Sequence, residues 1–275
     1  MSLRWLITGS SRGLGKALTE AALAAGHQVV ATARKPEQLA HFAERYGDKV
    51  VIATLDVTDA DAAKTAVASA VRVFGGLDVL VNNAGYGNVN SVEDRSIEEF
   101  RREIETNLFG TIIVTKAVIP TMRTQGFGHI INLSSVGGRI GAPGRAAYSA
   151  AKFAVEGFSE VLAREMALIG VKVTIIEPGG FRTDFAGQSS ELADGRPEYD
   201  AVVGAAARMQ RAYDGNQPGN PQRAANVIID IAQMSEPPFR LALGSDAMRA
   251  IKDADLRRLT ELENWATTSI STDFS

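Results

Sequence analysis

The chain has 275 residues, 45% hydrophobic and 22% charged, an ordinary globular balance that permits one large α/β domain or two small ones. A net charge of -3 with no basic run excludes a general affinity for nucleic acid, and no apolar stretch approaches the roughly 18 residues that a membrane span needs. The absence of cysteine excludes disulfides, thiolate catalysis and cysteine-ligated zinc; His27, His41 and His129 lie too far apart for metal spacing, so no metal site is expected. The leading apolar run, Trp5 to Ile7, is too short for a signal peptide and is broken at once by Thr8-Gly9, so the expected location is cytoplasmic.

In chain order, short β-branched apolar runs occur at Trp5–Thr8, Gln28–Ala33, Val50–Leu55, Val79–Val81, His129–Ser134, Val171–Glu177 and Arg240–Leu243. Between them lie stretches with apolar residues at helical spacing, at 13–25, 36–46, 59–74, 96–123, 146–168 and 221–234, and a last one at about 246–266. This alternation predicts βαβ units: a doubly wound, parallel, seven-stranded α/β sheet with helices on both faces, in a single domain over 1–275. Residues 184–220 break the rhythm, with Gly187, Gly195, Pro197, Gly204, Gly215, Pro218 and Gly219 around two weak helical stretches. A long insertion after a strand end, where open α/β sheets bind ligands, is expected to be a substrate-binding lid.

The first strand runs into TGSSRGLG at 8–15 and then into a helix. Gly9, Gly13 and Gly15 suit a tight turn whose amides approach a pyrophosphate at the helix N-terminus. The end of the second strand discriminates between dinucleotides: a carboxylate there binds a free ribose 2′-OH, an arginine a 2′-phosphate. Here the strand ends Ala33-Arg34-Lys35, with no carboxylate before Glu37. Arg34 alone reads equally well as a solvated helix-start residue. Arg34 and Arg12 together predict NADP(H) ahead of NAD(H), because the guanidinium fork donates paired hydrogen bonds to phosphate.

Tyr148 and Lys152 stand four residues apart, hence on one face of a helix. A nearby ammonium favours the phenolate, which an isolated tyrosine reaches only near pH 10. The spacing therefore predicts that Lys152 lowers the pKa of Tyr148. Ser135 opens a glycine-rich turn, SSVGG at 134–138, after an apolar strand, so its hydroxyl should reach the sheet's C-terminal edge and donate to a developing alkoxide.

Together these residues resemble the short-chain dehydrogenase/reductase family in its single-domain Rossmann form, close to the 17-beta-hydroxysteroid dehydrogenase-like branch. TGSSRGLG matches the family's TGxxxGxG, Asp56 in LDVTD its adenine-contacting acid, and NNAG at 82–85 its fourth-strand motif. Asn107, Ser135, Tyr148 and Lys152 match the catalytic tetrad, and PGGFRT at 178–183 the segment beside the nicotinamide. The resemblance implies that Tyr148 is the general acid/base and that Ser135 polarises the substrate carbonyl. It implies that Lys152 holds the nicotinamide ribose, that Asn107 holds a water linking Lys152 to solvent, and that Thr183 binds the carboxamide. Asn107 could also simply kink its helix, and Asp56 could be a strand-end cap. Cofactor contacts extend by the same resemblance to Ser11, Leu14, Val57, Asn83, Ala84, Gly85, Pro178, Gly179 and Phe181. The implied activity is NADP(H)-dependent reduction of a ketone or aldehyde, or oxidation of the matching secondary alcohol. The alternative is a non-catalytic NADP-binding regulator on the same fold.

Candidate pocket residues are Tyr86, Gly137, Ile140, Phe181 and Phe185 with apolar parts of 198–213, which favour an apolar or aromatic small-molecule substrate. The resemblance also implies a homodimer or homotetramer paired through the helices at about 107–123 and 146–168, where Ala150, Ala151, Ala154 and Gly157 would permit close approach.

Overall fold

The first strand, β1 (Arg4–Ile7), is buried on both faces because its side chains alternate between two apolar cores. Trp5 and Ile7 point into one and Leu6 into the other. In the computed structural model, which describes residues 2–185 and 191–274, six more strands flank it: β2 (Gln28–Ala33), β3 (Val50–Thr54), β4 (Val79–Asn82), β5 (Gly128–Leu133), β6 (Val171–Pro178) and β7 (Arg240–Leu243). All pair in parallel, in the order β3-β2-β1-β4-β5-β6-β7, which is the doubly wound Rossmann arrangement.

The Trp5 core is closed by α1 (Gly13–Ala24), α2 (Ala40–Tyr46) and α8 (Pro221–Gln233). The Leu6 core is closed by α3 (Ala60–Phe74), α5 (Gly110–Gln125) and α6 (Ala146–Ala167). Hydrogen bonds pin α5 and α6 to the sheet as well: Asn82 Nδ2 donates to Thr115 Oγ1 and Asn132 Nδ2 to Ser159 Oγ, both at 2.9 Å. The chain also forms α4 (Ile97–Ile104), α7 (Ala205–Tyr213), α9 (Ser245–Asn264) and α10 (Ala266–Ile270). Among the described residues no helix is long and apolar enough to cross a membrane.

Most boundaries fall within two residues of the sequence expectation. The helix expected over 96–123 differs. It starts from a capping box between Ser96 and Glu99, then widens into a π turn at Glu105–Phe109 before α5 continues. Asn107 sits in that turn. The stretch expected at 36–46 opens with a 3₁₀ turn, Pro36–Leu39, and becomes α-helical only at Ala40.

Within the 184–220 segment, residues 186–190, including Gly187, lie outside the described residues. The remainder docks on the loop after β4. Val89 N donates to Glu191 O and Ala193 N to Val89 O, while Val89, Val203 and Ala207 form a small third core. This packing carries α7 over the C-terminal edge of the sheet.

The small residues expected at a subunit interface divide between two faces. Ala150 and Gly157 are exposed and Ala154 half-buried, but Ala151 is fully buried within its own chain. Helical spacing turns it inward with Val155 and Leu162, so it is spent on the fold and not on an outer contact.

His129, in the interior strand β5, is buried with Nε2 hydrogen-bonded to Thr174 Oγ1 at 2.9 Å. Burial lowers its pKa from 6.5 to about 4. As pH falls through 6.5 the unfolded chain takes up a proton that the folded chain refuses until about pH 4. Stability should therefore drop over that window by up to about 3 kcal/mol. Denaturant titrations at pH 7 and pH 4.5 should show a smaller loss in His129→Leu than in the wild type. Equal losses would place the acid sensitivity elsewhere.

Candidate active site

Parallel pairing puts every strand's C-terminal end on one edge, and a crevice opens where crossovers leave β1 in opposite directions. A clasp between the ends of β1 and β4 defines it. Thr8 Oγ1 accepts from the amides of Asn83 and Ala84, each at 2.9 Å, and Asn83 Nδ2 donates back to Thr8 O at 2.8 Å and Gly9 O at 3.2 Å. Against this clasp the glycine turn is compulsory. Gly9 and Gly13 have φ of +69° and +56°, and a Cβ on Gly15 would overlap the Gly9 carbonyl and the Asn83 amide.

The crevice is a cleft of about 1140 Å³, larger than the roughly 300–1,000 Å³ of a typical small-ligand pocket. Gly9, Ser11, Arg12, Gly13 and Leu14 line one end, with Arg34 after β2 and Asp56 and Val57 after β3. Asn83, Ala84 and Gly85 follow, and Pro178, Gly179, Phe181 and Thr183 close the side after β6. Gly15 lies behind this wall, buried against the clasp. Asp56 Oδ1 accepts from Thr58 N at 3.0 Å and Thr58 Oγ1 at 2.8 Å, so it caps its own turn while lining the cleft. Asp246, the first acid of α9, accepts from Gly180 N at 2.8 Å and braces the Pro178–Thr183 segment, a role no sequence motif announced.

At the other end stand Ser135, Tyr148 and Lys152. The Tyr148 ring is wedged between two glycines: a Cβ on Gly137 would lie 3.0 Å from Cε1, and one on Gly87 would lie 2.8 Å from Cδ2. Phe185 meets the ring at 5.7 Å between centroids, tilted by 57°. Ser135 supplies a hydrogen bond to the phenol and accepts one from Gly137 N at 3.0 Å. Asn107 uses its side chain locally. Nδ2 donates to Tyr86 O and Glu103 O, both at 2.8 Å, and Oδ1 accepts from Tyr86 N at 3.3 Å, fastening the loop after β4 to the π turn.

The electrostatics differ from the expectation. Lys152 Nζ donates to Leu133 O at 2.7 Å and stands 5.7 Å from the Tyr148 ring centroid. Burial lowers the Lys152 pKa to about 8. Tyr148 is itself buried, and that burial raises its pKa despite the opposing Ser135 hydrogen bond and the nearby charge of Arg145. Both groups are desolvated together, and the Lys152 ammonium is held by a backbone carbonyl. The field of Arg145 also reaches the phenol and favours its ionised form.

Of the expected pocket residues, Tyr86, Gly137 and Phe185 line the cleft. Ile140 does not. The chain turns away after Gly137 because Arg139 is anchored to Glu177 at 2.8 Å and to Asp255 of α9 at 2.6 Å, carrying Ile140 with it. From the 198–213 stretch, Ala206 and Met209 reach the cleft, joined by Gln210 and Tyr213. Arg145 was missed; it is the N-cap residue of α6, three residues before Tyr148, and it lines the cleft. Gln210 had no sequence signal.

Residues 4–193 match the family model for short chain dehydrogenase. The chain is 46% identical to the oxidoreductase BOA17 of Botryotinia fuckeliana, over 98% of this chain and 99% of that one. Its fold is similar to a short-chain dehydrogenase from Streptomyces avermitilis, with a TM-score of 0.91 and 39% identity over 100% of both chains. It is also similar to a closed serine dehydrogenase complexed with NADP+, with a TM-score of 0.76 and 29% identity over 88% of this chain and 94% of that one.

The two glycines that hold Tyr148 can be probed directly. Gly87→Ala and Gly137→Ala should each displace the ring and lower kcat by about tenfold or more, since misplacing a reacting group by about 1 Å can cost a hundredfold. Neither position has positive φ, so melting temperature should change little. Wild-type kcat in both variants would show that the ring is held by other contacts.

Proposed function

The chain belongs to the short-chain dehydrogenase/reductase family, and on that premise we propose that it is an NADP(H)-dependent oxidoreductase that reduces a ketone or aldehyde, or oxidises the matching secondary alcohol, with Tyr148 as general acid/base. The observation that carries this reading is the buried Tyr148 phenol, hydrogen-bonded to Ser135, at one end of a cleft whose other end is the glycine turn.

The residues fit a nicotinamide dinucleotide. The positive φ of Gly9 and Gly13 and the missing side chain at Gly13, which faces Thr183 across the cleft, leave a cradle of backbone amides at the start of α1 for a pyrophosphate. Gly85 is likewise required, since a Cβ there would strike Asn107 Oδ1. When bound, the cofactor supplies or accepts the hydride at the substrate carbon.

The chain's own groups handle the proton. In reduction Ser135 donates a hydrogen bond to the carbonyl oxygen, polarising it, and Tyr148 gives that oxygen its phenolic proton. The raised pKa keeps the phenol protonated at neutral pH, the form that reduction consumes. Lys152 faces the same space and offers the ribose hydroxyls a donor, while Asn107 holds the Tyr86 loop that walls the nicotinamide end. Thr183 binds the carboxamide. Residues 205–213 cover the substrate side as a lid.

Arg12 and Arg34 line the adenosine end, and no carboxylate stands at the end of β2. This supports a 2′-phosphate and hence NADP(H). The NADP+ in the serine dehydrogenase complex is consistent with that choice.

The deciding experiment is absorbance at 340 nm with NADPH and a panel of aldehydes and ketones. NADPH should be consumed, and Tyr148→Phe should lower kcat by about a hundredfold or more with NADPH affinity nearly unchanged. A Tyr148→Phe enzyme with most of its activity would sink the assigned acid. Separately, Arg34→Asp should weaken NADPH by about tenfold or more relative to NADH, because it sets a carboxylate against the 2′-phosphate. An unchanged ratio of the two affinities would overturn the NADP(H) preference.

A further inference from the structure

Five arginines among the described residues are not exposed: Arg4, Arg95, Arg139, Arg145 and Arg240. Four of them are paired with carboxylates, Arg4 with Asp78, Arg95 with Glu103, Arg139 with Glu177 and Asp255, and Arg240 with Glu156 and Glu160. This is the expected arrangement, because a charge withdrawn from water is costly unless it is paired. Arg145 is the exception. It has no ion pair among the described residues, and Glu103, the acid whose field reaches it, is taken by Arg95 at 2.7 Å.

Arg145 also lines the cleft beside the Tyr148 ring. Its guanidinium carbon is 5.6 Å from the phenol ring centroid. Its Nη2 donates to Oε1 of Gln210, on α7 across the cleft. A Cβ on Gly87 would come 2.9 Å from Nη1, so the glycine leaves that side of the guanidinium room. An amide oxygen is a neutral acceptor, in the position that a carboxylate oxygen would take on a guanidinium fork. The same cleft is lined by apolar Ala142, Pro143, Phe185, Ala206 and Met209, and also by polar residues that include Asn88, Glu191 and Gln217.

We propose that Arg145 is the specificity-determining anchor of the substrate, which is a carbonyl compound or alcohol with an apolar body and a carboxylate group. The carboxylate displaces the Gln210 amide oxygen from the guanidinium and fixes the reacting carbon against Tyr148. This rests on the oxidoreductase reading above and adds the charge of the substrate to it. It also gives Gln210 a use: it satisfies the arginine while no substrate is bound.

The test compares short oxo acids (2-oxobutanoate, 4-oxopentanoate, 5-oxohexanoate) with their methyl esters as substrates for the NADPH-loaded protein. The wild type should favour at least one acid over its ester by about tenfold or more in kcat/KM, and Arg145→Met should cut that acid by about tenfold to a hundredfold, chiefly through KM, so that the acid-to-ester ratio falls toward one. Arg145→Lys should recover part of the loss. A wild type that treats acids and esters alike overturns the proposal. So does an Arg145→Met enzyme that loses both equally with a shifted pH profile, since the arginine would then act on the Tyr148 proton. Calorimetric titration of the same acids onto wild type and Arg145→Met reads the anchor without turnover. Arg145-dependent binding with no reduction of any carbonyl would support the anchor and sink the oxidoreductase reading. Turnover of neutral ketones with no Arg145-dependent acid binding would do the reverse.

Discussion

The clasp between Thr8 and Asn83 is the constraint on which the cleft depends. Four hydrogen bonds join the ends of β1 and β4 at the one point where the sheet's crossovers diverge. Polar groups at a strand end are normally left to water or to a cap, but here they bond to each other and bring the chain at Gly9 against the Asn83 amide. That proximity excludes any side chain at Gly15, and the turn passes through positive φ at Gly9 and Gly13. The glycine pattern is thus a consequence of strand-end packing first. The cradle of free amides at the start of α1 is what the packing leaves over, and it is the part that a phosphate can use.

A second seam organises the other end of the cleft. The π turn at Glu105–Phe109 places Asn107 where its amide can hold both edges of the Tyr86 backbone, so one extra residue per turn in a helix positions the loop that Gly87 presents to Tyr148. Tyr148 is therefore set by backbone on two sides, with no flexible side chain between glycine and ring. Placement of this kind costs little reorganisation when a substrate arrives, which is the condition for a positioned acid to be effective.

Much of this was legible in the sequence. The alternation of β-branched runs with helical stretches carried the essential feature, parallel strands with helices on both faces, because the inner strands are buried on both faces and read as continuous apolar runs. Gly9, Gly13, Ser135, Tyr148 and Lys152 were legible because each answers a local demand that few residue types meet, whereas Asn83 was legible only through the family resemblance. What failed depended on tertiary contacts with no local signature. Ile140 leaves the cleft because Arg139 is tied to two distant acids, Glu177 and Asp255. Tyr148 lies above its ordinary pKa because its phenol is buried, and the Lys152 ammonium is bound to the Leu133 carbonyl, a partner brought in from β5. Gln210 reached the site through the docking of residues 191–213 on Val89, which no motif encodes. Arg145 could have been found, since it stands at the N-cap of the helix that carries Tyr148.

The two cations beside Tyr148 divide the electrostatic work unequally. Burial lowers the Lys152 pKa to about 8, although its bond to the Leu133 carbonyl favours the charged form. A guanidinium keeps its charge across the whole physiological range even when burial lowers its pKa, because its starting value lies above 12. The steady field at the phenol therefore comes from Arg145, and the adjustable one from Lys152. If an anionic substrate group neutralises Arg145, the phenol loses its constant counter-charge at the moment of binding and its proton is held more firmly. The same contact that anchors the substrate would then favour the protonated acid that carbonyl reduction uses, and would oppose the phenolate that alcohol oxidation needs. On the proposed assignment, substrate charge and reaction direction are coupled through one guanidinium.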